Sequence, residues 1–452
     1  MLRPNKNISF ASIRSTSYGT GSWPTLPRDI RENLFCFLDT TSQLNVVTVS
    51  KAWYIGFREF LYGEIDVDGR KVSQIAARVS CDEDLRHAIR RLAVFCCCPG
   101  STSTEQYRPD IATFPPLRAL VTKIGDARYR EMTWATALAR GDRVAWLGAT
   151  LLLCGETPTL LIPSDAFSPG LADILAAAVT KSMSLPLVTR CFLNTRCLSF
   201  NRVPGFAIEI LLTLPQLRTL RLSDVHDSDD GTPWLATKHN IEIGSSTLQS
   251  LYFRRECCAA RTAARLINLS PNLKEFIYEH TERTFGGKKV TFLPSVLREP
   301  LLRLKGSLHK LSLNPTGRGR PDEGIDVTFG SLGQFSRLEE VFFRVEYLLD
   351  MNSPSGTLSN CLPMHIRHLH LAGCRKAHID TVIQEVENMV RGVMFFDLRE
   401  ITVTISIVQR RDGEVLSTPR FAEVESLCAE YGVKFKVGLG PSPHDLDEEG
   451  EE

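Results

Sequence analysis

At 452 residues, with 43% apolar and 23% charged side chains, the chain has the length of about three ordinary domains or of one elongated array. Its formal net charge of +1, with Lys and Arg spread along the chain, excludes the basic stripe that a nucleic acid or an anionic membrane surface would select. The 13 cysteines fall at irregular spacings and read as reduced thiols, and the longest apolar runs, such as Val144 to Cys154, fall short of the ~20 residues of a membrane span; a soluble protein of the cytoplasm and/or nucleus is expected.

Residues 1–22 are rich in Ser and Thr and hold Arg3, Lys6 and Arg14 without an acid, the composition of a disordered tail. From Leu26 the apolar positions Ile30, Leu34, Phe37 and Leu38 follow helical spacing, with Pro27 in the first turn, where a missing N–H costs little. The stretch "DTTSQ" then supplies turn and capping residues, and Leu44, Val47 and Val49 form a short second apolar segment. Ser50 is placed to cap a third helix whose buried face holds Trp53, Phe57, Phe60 and Leu61. Three short helices enclose a marginal core, so a partner covering the remaining apolar surface is expected.

The order Leu26-Pro27, Asp29-Ile30, Phe37-Leu38-Asp39, Leu44 and Val49-Ser50-Lys51-Ala52-Trp53 resembles the F-box family, with Asp29 where the motif has Glu. The following Leu61, Tyr62 and Ile65 are similar to the Leu-Tyr-x-x-Ile ending of fungal members. The resemblance implies an adaptor: the F-box docks on the Skp linker protein, and through it on a cullin, while the remainder selects a protein substrate. It places Leu26, Pro27, Ile30, Leu44, Val47 and Trp53 at or just under the Skp contact.

Further along, one template recurs, apolar-x-x-apolar-x-apolar: "LRTLRL" at Leu217, "LQSLYF" at Leu248, "LKEFIY" at Leu273, "LHKLSL" at Leu308, "LEEVFF" at Leu338, "IRHLHL" at Ile366 and "LREITV" at Leu398. Helical stretches such as "AARTAARLINL" from Ala259 and "HIDTVIQEVENMVRGV" from His378 separate the copies. Strand and helix in steady alternation describe a solenoid whose units bury one another's apolar faces. Earlier, "LRALVT" at Leu117 fits in part, "LRHAIRRLAVF" at Leu85 and "RCFLNTRCLSF" at Arg190 read as degenerate copies, and Tyr129 to Ala178 reads as more helical. "VKFKVG" at Val433 is the expected last strand.

The copies resemble the leucine-rich repeat family, loosely: the ninth template position, usually Asn or Cys, is Cys374 in one copy but residues such as Val225 and Glu346 elsewhere. The expected fold is therefore α/β, a short N-terminal three-helix F-box over 23–65 followed by an irregular leucine-rich-repeat-like solenoid over 66–440 and an acidic tail over 441–452. Strand alternation sends the residues between the template positions outward. That puts Tyr252, Ile277, Phe342, His368 and His370 on one concave substrate-binding strip, with the first three as exposed apolar anchors.

Chemistry is not expected from this chain. Cys361, His365, His368, His370 and Cys374 contain zinc-ligating residue types, but the template turns Cys374 inward and the two strand histidines outward, so no metal or cofactor is assigned. "FGGKKVTF" at Phe285 lacks the spacing of a phosphate-binding loop, and no Cys-x-x-Cys pair or Gly-x-Ser-x-Gly elbow occurs. The reading is a non-catalytic adaptor of an SCF-type ubiquitin ligase, with an F-box scaffold that acts with Skp but without ubiquitin ligation as the alternative. Neither nucleic acid nor membrane is expected as a partner.

Overall fold

The computed structural model describes residues 33, 35, 37–49, 51–95, 109–124, 128–129, 132–154, 157–163, 169–181, 183, 187–194, 203–204, 208–223, 225–226, 246–256, 260–280, 284–285, 288–289, 294–315, 328–349, 357–374, 376–392, 394–405 and 419–439. The tails expected over 1–22 and 441–452 lie outside the described residues. Two compact units result, residues 1–201 with 214–216, and residues 202–213 with 217–452.

In the first unit, residues 33, 35 and 37 are helical, followed by α1 (Thr40–Thr48) and α2 (Lys51–Tyr62). Asp39 caps α1, its carboxylate accepting the Ser42 N–H at 2.7 Å, so "TTSQ" belongs to the helix rather than to the expected turn. That bond from Ser42 holds the exposed Asp39 carboxyl below its ordinary value. Gly63 then lets the chain leave α2 for the sheet: a Cβ there would meet the Glu59 carbonyl at 2.4 Å. Four parallel strands follow, β1 (Glu64–Asp68), β2 (Arg91–Phe95), β3 (Thr159–Pro163) and β4 (Arg190–Asn194), paired in that order.

Helices lie in each gap between these strands along the chain. Before β2 come α3 (Val72–Cys81) and α4 (Glu83–Ala88); after it come α5 (Pro115–Ile124), α6 (Trp134–Ala139) and α7 (Arg143–Leu153), and α8 (Pro169–Thr180) follows β3. The partial repeat "LRALVT" at Leu117 is thus helix α5, since Leu117, Leu120 and Ile124 bury one helical face rather than alternate sides of a strand. The apolar run from Val144 is helix α7, buried from Ala145 to Leu151 and capped by Asp142. Trp134 and Trp146 lock α6 to α7 reciprocally, one indole N–H donating to the Ala145 carbonyl at 3.1 Å and the other to the Leu138 carbonyl at 3.0 Å. No described helix is long and apolar enough to cross a membrane.

Among the described residues, the second unit contributes eight parallel strands to one sheet: β5 (Thr219–Ser223), β6 (Ser250–Glu256), β7 (Glu275–His280), β8 (Lys310–Pro315), β9 (Glu340–Arg344), β10 (His368–Cys374), β11 (Glu400–Ile405) and β12 (Lys434–Leu439). Every template segment named from Leu217 to Val433 supplies one. Template positions line up across the sheet, Leu220, Leu251, Phe276, Leu311, Val341, Leu369, Ile401 and Phe435 forming one buried row. At ~25 cal/mol per Å² of apolar surface removed from water, such rows dominate the stability of the unit.

Connecting helices lie between the strands: α9 (Ala260–Asn268), α10 (Ser295–Leu302), α11 (Val345–Leu348), α12 (Leu358–Cys361), α13 (Ile379–Arg391) and α14 (Pro419–Glu430). In α13 the residues Ile379, Val382, Ile383, Val386, Met389 and Val390 face the core, an unbroken amphipathic stripe. In β10 the register shifts between Leu371 and Cys374, where Gly373 takes φ +69 with its open side against Arg344.

Candidate protein-interaction surface

The outward side of the second unit is built by the same register that builds its core. Arg221, Tyr252, Ile277, Ser312, Phe342, His370, Thr402 and Lys436 stand side by side on successive strands. Tyr252 and Phe342 therefore belong to one row, with the "LHKLSL" strand in register between them. Ile277 departs from expectation: it is only 8% exposed, not an open anchor, and Ser312 beside it is also buried. These two form the floor of the row between taller neighbours. Phe342 is half-buried and its ring lies 4.1 Å, centroid to centroid, from the His370 ring. His370 also reaches the Thr404 hydroxyl at 2.6 Å, while His368 is exposed.

Polar contacts fix the rest of the strip. Tyr252 donates to the Glu275 carboxylate at 2.5 Å, and the Arg221 guanidinium lies 4.8 Å above its ring. Burial, then the bond to Glu275, pushes the Tyr252 phenol up to about 12. Along the neighbouring row, Lys310 pairs with Glu340 at 3.0 Å, and Glu400 of that row pairs with Lys436 of the strip at 2.7 Å. Burial raises Glu400, but the bond and charge of Lys436, joined by Lys434, outweigh it and leave that carboxyl below its ordinary value. Opposite charges on adjacent strands neutralise one another, so shape and aromatic surface distinguish this face more than net charge does.

In the N-terminal module, Phe35 is buried, as are Phe57 and Tyr62: its ring stacks on Phe57 at 5.6 Å and approaches Phe60 at 6.0 Å. Trp53 is half-buried and stacks on Phe57 at 5.2 Å, so its indole belongs to this cluster. Gln43 ties the corner, donating to the carbonyls of Phe35 at 2.9 Å and Leu38 at 3.1 Å. Phe37, expected on the buried stripe, is instead 90% exposed, because Phe35 fills the inward place against α2. Val49 and Ile55 are also exposed. Of the residues expected at a Skp contact, Leu26, Pro27 and Ile30 lie outside the described residues, as does Ser50, and Leu44 and Val47 sit on α1 with side chains outside the description. Ile55 stands off the helical stripe of Trp53, Phe57, Phe60 and Leu61, so the spacing that marks that stripe gives no signal for it.

Among the described cysteines, Cys154, Cys191, Cys374 and Cys428 are buried, Cys361 is half-buried and Cys81 is exposed. Burial pushes Cys154, Cys191 and Cys374 each up to about 12. Among the described residues, no three His, Cys, Asp or Glu side chains are grouped to hold a metal ion.

Residues 206–428 match the family model of a leucine-rich repeat domain. No curated protein matches the chain. The matched stretch contains β5 to β11 and the whole strip from Arg221 to Thr402, a parallel repeat sheet of the class that suggests protein–protein interaction.

Proposed function

We propose that the chain is a substrate-recognition adaptor of an SCF-type cullin–RING ubiquitin ligase. The helical module of 23–65 binds the Skp linker, and through it cullin, and the outward strip from Tyr252 to His370 holds an as yet unidentified protein substrate. The observation that carries this reading is the module's filled interior beside its open surface: Phe35, Trp53 and Phe57 pack one another while Phe37, Val49 and Ile55 face outward on neighbouring segments. Open apolar surface of that kind on a small bundle marks a docking face. The chain acts without catalysis of its own, in cytoplasm and/or nucleus.

Co-expression with a Skp linker protein tests it. The parent chain is expected to co-purify with Skp and cullin, and Leu26→Ala with Pro27→Ala, or Phe37→Ser alone, to lose both while the thermal unfolding midpoint holds. Recovery of Skp without cullin, where a control F-box protein brings cullin down, would replace the ligase adaptor with the scaffold. Absence of Skp from the parent complex would end both readings.

A further inference from the structure

Ser312 stands in the outward row between Ile277 and Phe342, so its side chain faces the open side of the sheet, yet it is only 4% exposed. Among the described residues its hydroxyl has no hydrogen-bond partner. Folding alone does not ask for a hydroxyl here: enclosed and unbonded, it costs stability that an alanine methyl would not.

The two rings of the row leave a gap above it. The Tyr252 phenol reaches across to β7, its hydroxyl donating to Glu275 at 2.5 Å, and so leans over the buried Ile277. Phe342 is held from its far side, ring to ring with His370 at 4.1 Å, and His370 meets the Thr404 hydroxyl in turn. From the Ile277 strand to the Phe342 strand is two steps of ~4.8 Å, roughly 9.6 Å. Aromatic rings pack with centroids ~4.5–7 Å apart, so the gap fits one further ring and no more, with Ser312 beneath it.

We propose, on the reading of this strip as the substrate surface, that the gap is its specificity pocket and takes one unphosphorylated tyrosine side chain of the partner protein. The ring stacks between Tyr252 and Phe342, and the phenol hydroxyl donates to the Ser312 oxygen. Charge decides against an ionic group in this place. Beside the gap Lys310 pairs with Glu340 at 3.0 Å and Arg344 with Glu346 at 2.9 Å, Glu275 takes the Tyr252 hydroxyl, and the buried Glu279 is engaged as well. A phosphate or carboxylate entering between the rings would leave water without a cation to receive it, and would face Glu275 and Glu340. A guanidinium would meet Lys310 and Arg344 and would have to compete with the Tyr252 hydroxyl for Glu275. A phenol is neutral, supplies the ring that the gap fits, and satisfies Ser312; phenylalanine fills the gap but leaves Ser312 unbonded. Phosphorylation of the partner's tyrosine therefore masks it from this chain.

The probes are side chains without a backbone: p-cresol for tyrosine, toluene for phenylalanine, 4-methylphenyl phosphate for phosphotyrosine and n-propylguanidinium for arginine, each titrated into the full chain by ligand-observed NMR. The ratio of p-cresol to toluene affinity is expected to be about fivefold higher in the parent than in Ser312→Ala, the loss of one hydrogen bond. Both ions should bind the parent at least about tenfold more weakly than p-cresol. Phe342→Ala should weaken p-cresol and toluene alike by about tenfold or more, and Phe342→Leu serves if the alanine variant lowers the thermal midpoint. An unchanged ratio in Ser312→Ala, or p-cresol binding untouched by loss of the Phe342 ring, would overturn the pocket. Equal binding of the phosphate ester or the guanidinium would overturn its choice of a neutral group. p-Cresol needs neither Skp nor a substrate, so a chain that keeps Skp but ignores p-cresol loses the pocket alone, and one that binds p-cresol but not Skp loses the adaptor role alone.

Discussion

The four sheet strands described in the first unit and the eight in the second are each held to their neighbours within the unit by the same backbone device. In the second unit the carbonyl just before a strand accepts two N–H groups from the next: Arg218 from Gln249 and Ser250, Lys274 from His309 and Lys310, Arg367 from Arg399 and Glu400, at 2.7 to 3.1 Å. In the first unit Gly63 accepts from Arg90 and Arg91, both at 2.8 Å, and Pro158 from Thr189 and Arg190 at 2.8 and 3.0 Å. The side chains differ. The template positions of the second unit's strands are Leu, Ile, Val or an aromatic ring; buried positions on or just before the strands of the first include Thr157, Cys191 and Ala93. A parallel repeat sheet thus needs register and a buried side for each strand, and tolerates wide variation in what fills that side.

The comparison is broken most severely from inside the core. Phe276 is fully buried, its ring near Phe253 at 6.3 Å and Tyr278 at 6.4 Å, and Phe276→Ala is expected to cost ~4 kcal/mol of the second unit's stability. Leu92, fully buried on β2, is the counterpart in the first unit, and Leu92→Ala is expected to cost ~3 kcal/mol. Denaturant unfolding followed by hydrogen exchange checks both. Each variant should lower protection chiefly in its own unit, as nearest-neighbour coupling requires. Equal loss in both units for either variant would show that the division is not energetic.

These two positions also mark how far the sequence could be read. Phe276 sits in a full copy of the template, "LKEFIY", and all seven such copies are strands of the sheet. Leu92 lies in Ile89-Arg90-Arg91-Leu92-Ala93-Val94, the same spacing hidden by the preceding helix α4. Tyr62-Gly63-Glu64-Ile65-Asp66-Val67 is another copy, masked because its first two apolar positions also fit the Leu-Tyr-x-x-Ile ending of an F-box; the boundary expected at 65 falls inside β1. On the strip, alternation fixed which side Tyr252, Ile277 and Phe342 face, but not depth. Depth depends on the height of neighbours in the row, which no single strand encodes, so Ile277 sinks beside Ser312 while Phe342 meets His370.

Arg344 and Glu346 give an effect comparable to that of Leu92. Both are buried and bonded, Nε to Oε2 at 2.9 Å, with the Arg344 stem against Gly373. Arg344→Ala is expected to destabilise the second unit by ~3 kcal/mol, because the Glu346 carboxylate stays buried without its cation. Replacing both together should recover part of that loss, which a thermal double-mutant cycle would show.

The helical module is joined to the rest of the first unit by Tyr54, whose hydroxyl meets the Asp82 carboxylate at 3.3 Å, by Arg58 with Asp84 at 2.5 Å, and by Arg90 with Glu59 at 3.3 Å. Tyr54→Phe should cost ~1 kcal/mol. Burial, then the Asp82 charge, pushes the Tyr54 phenol up to about 12. The fold thus favours the neutral phenol: its contribution is full below pH 10 and fades between pH 10 and about 12. Alkaline titration of thermal stability should therefore show a shallower decline for Tyr54→Phe than for the parent across that window.

The smallest effect belongs to the outward charges, and it separates what the strip does for folding from what it does for recognition. Lys310 and Glu340 lie opposite one another on adjacent strands at 3.0 Å, with side chains 41% and 45% exposed. Such a pair loses side-chain entropy on ordering and is screened by salt, so its coupling should be no more than ~0.5 kcal/mol. A cycle of Lys310→Ala, Glu340→Ala and the double variant in thermal denaturation measures it, at low and at physiological salt. The same charges stand beside Phe342, where a bound protein would exclude water and salt would screen them less. Lys310→Ala is accordingly expected to leave the unfolding midpoint almost unmoved while weakening any partner held on the Tyr252–Phe342 row severalfold, with the loss carried mainly by a slower association rate. A coupling above ~1.5 kcal/mol in the free chain would mean that these groups are already shielded by the fold, and the strip would then be part of the structure's own framework rather than a surface kept open for another protein.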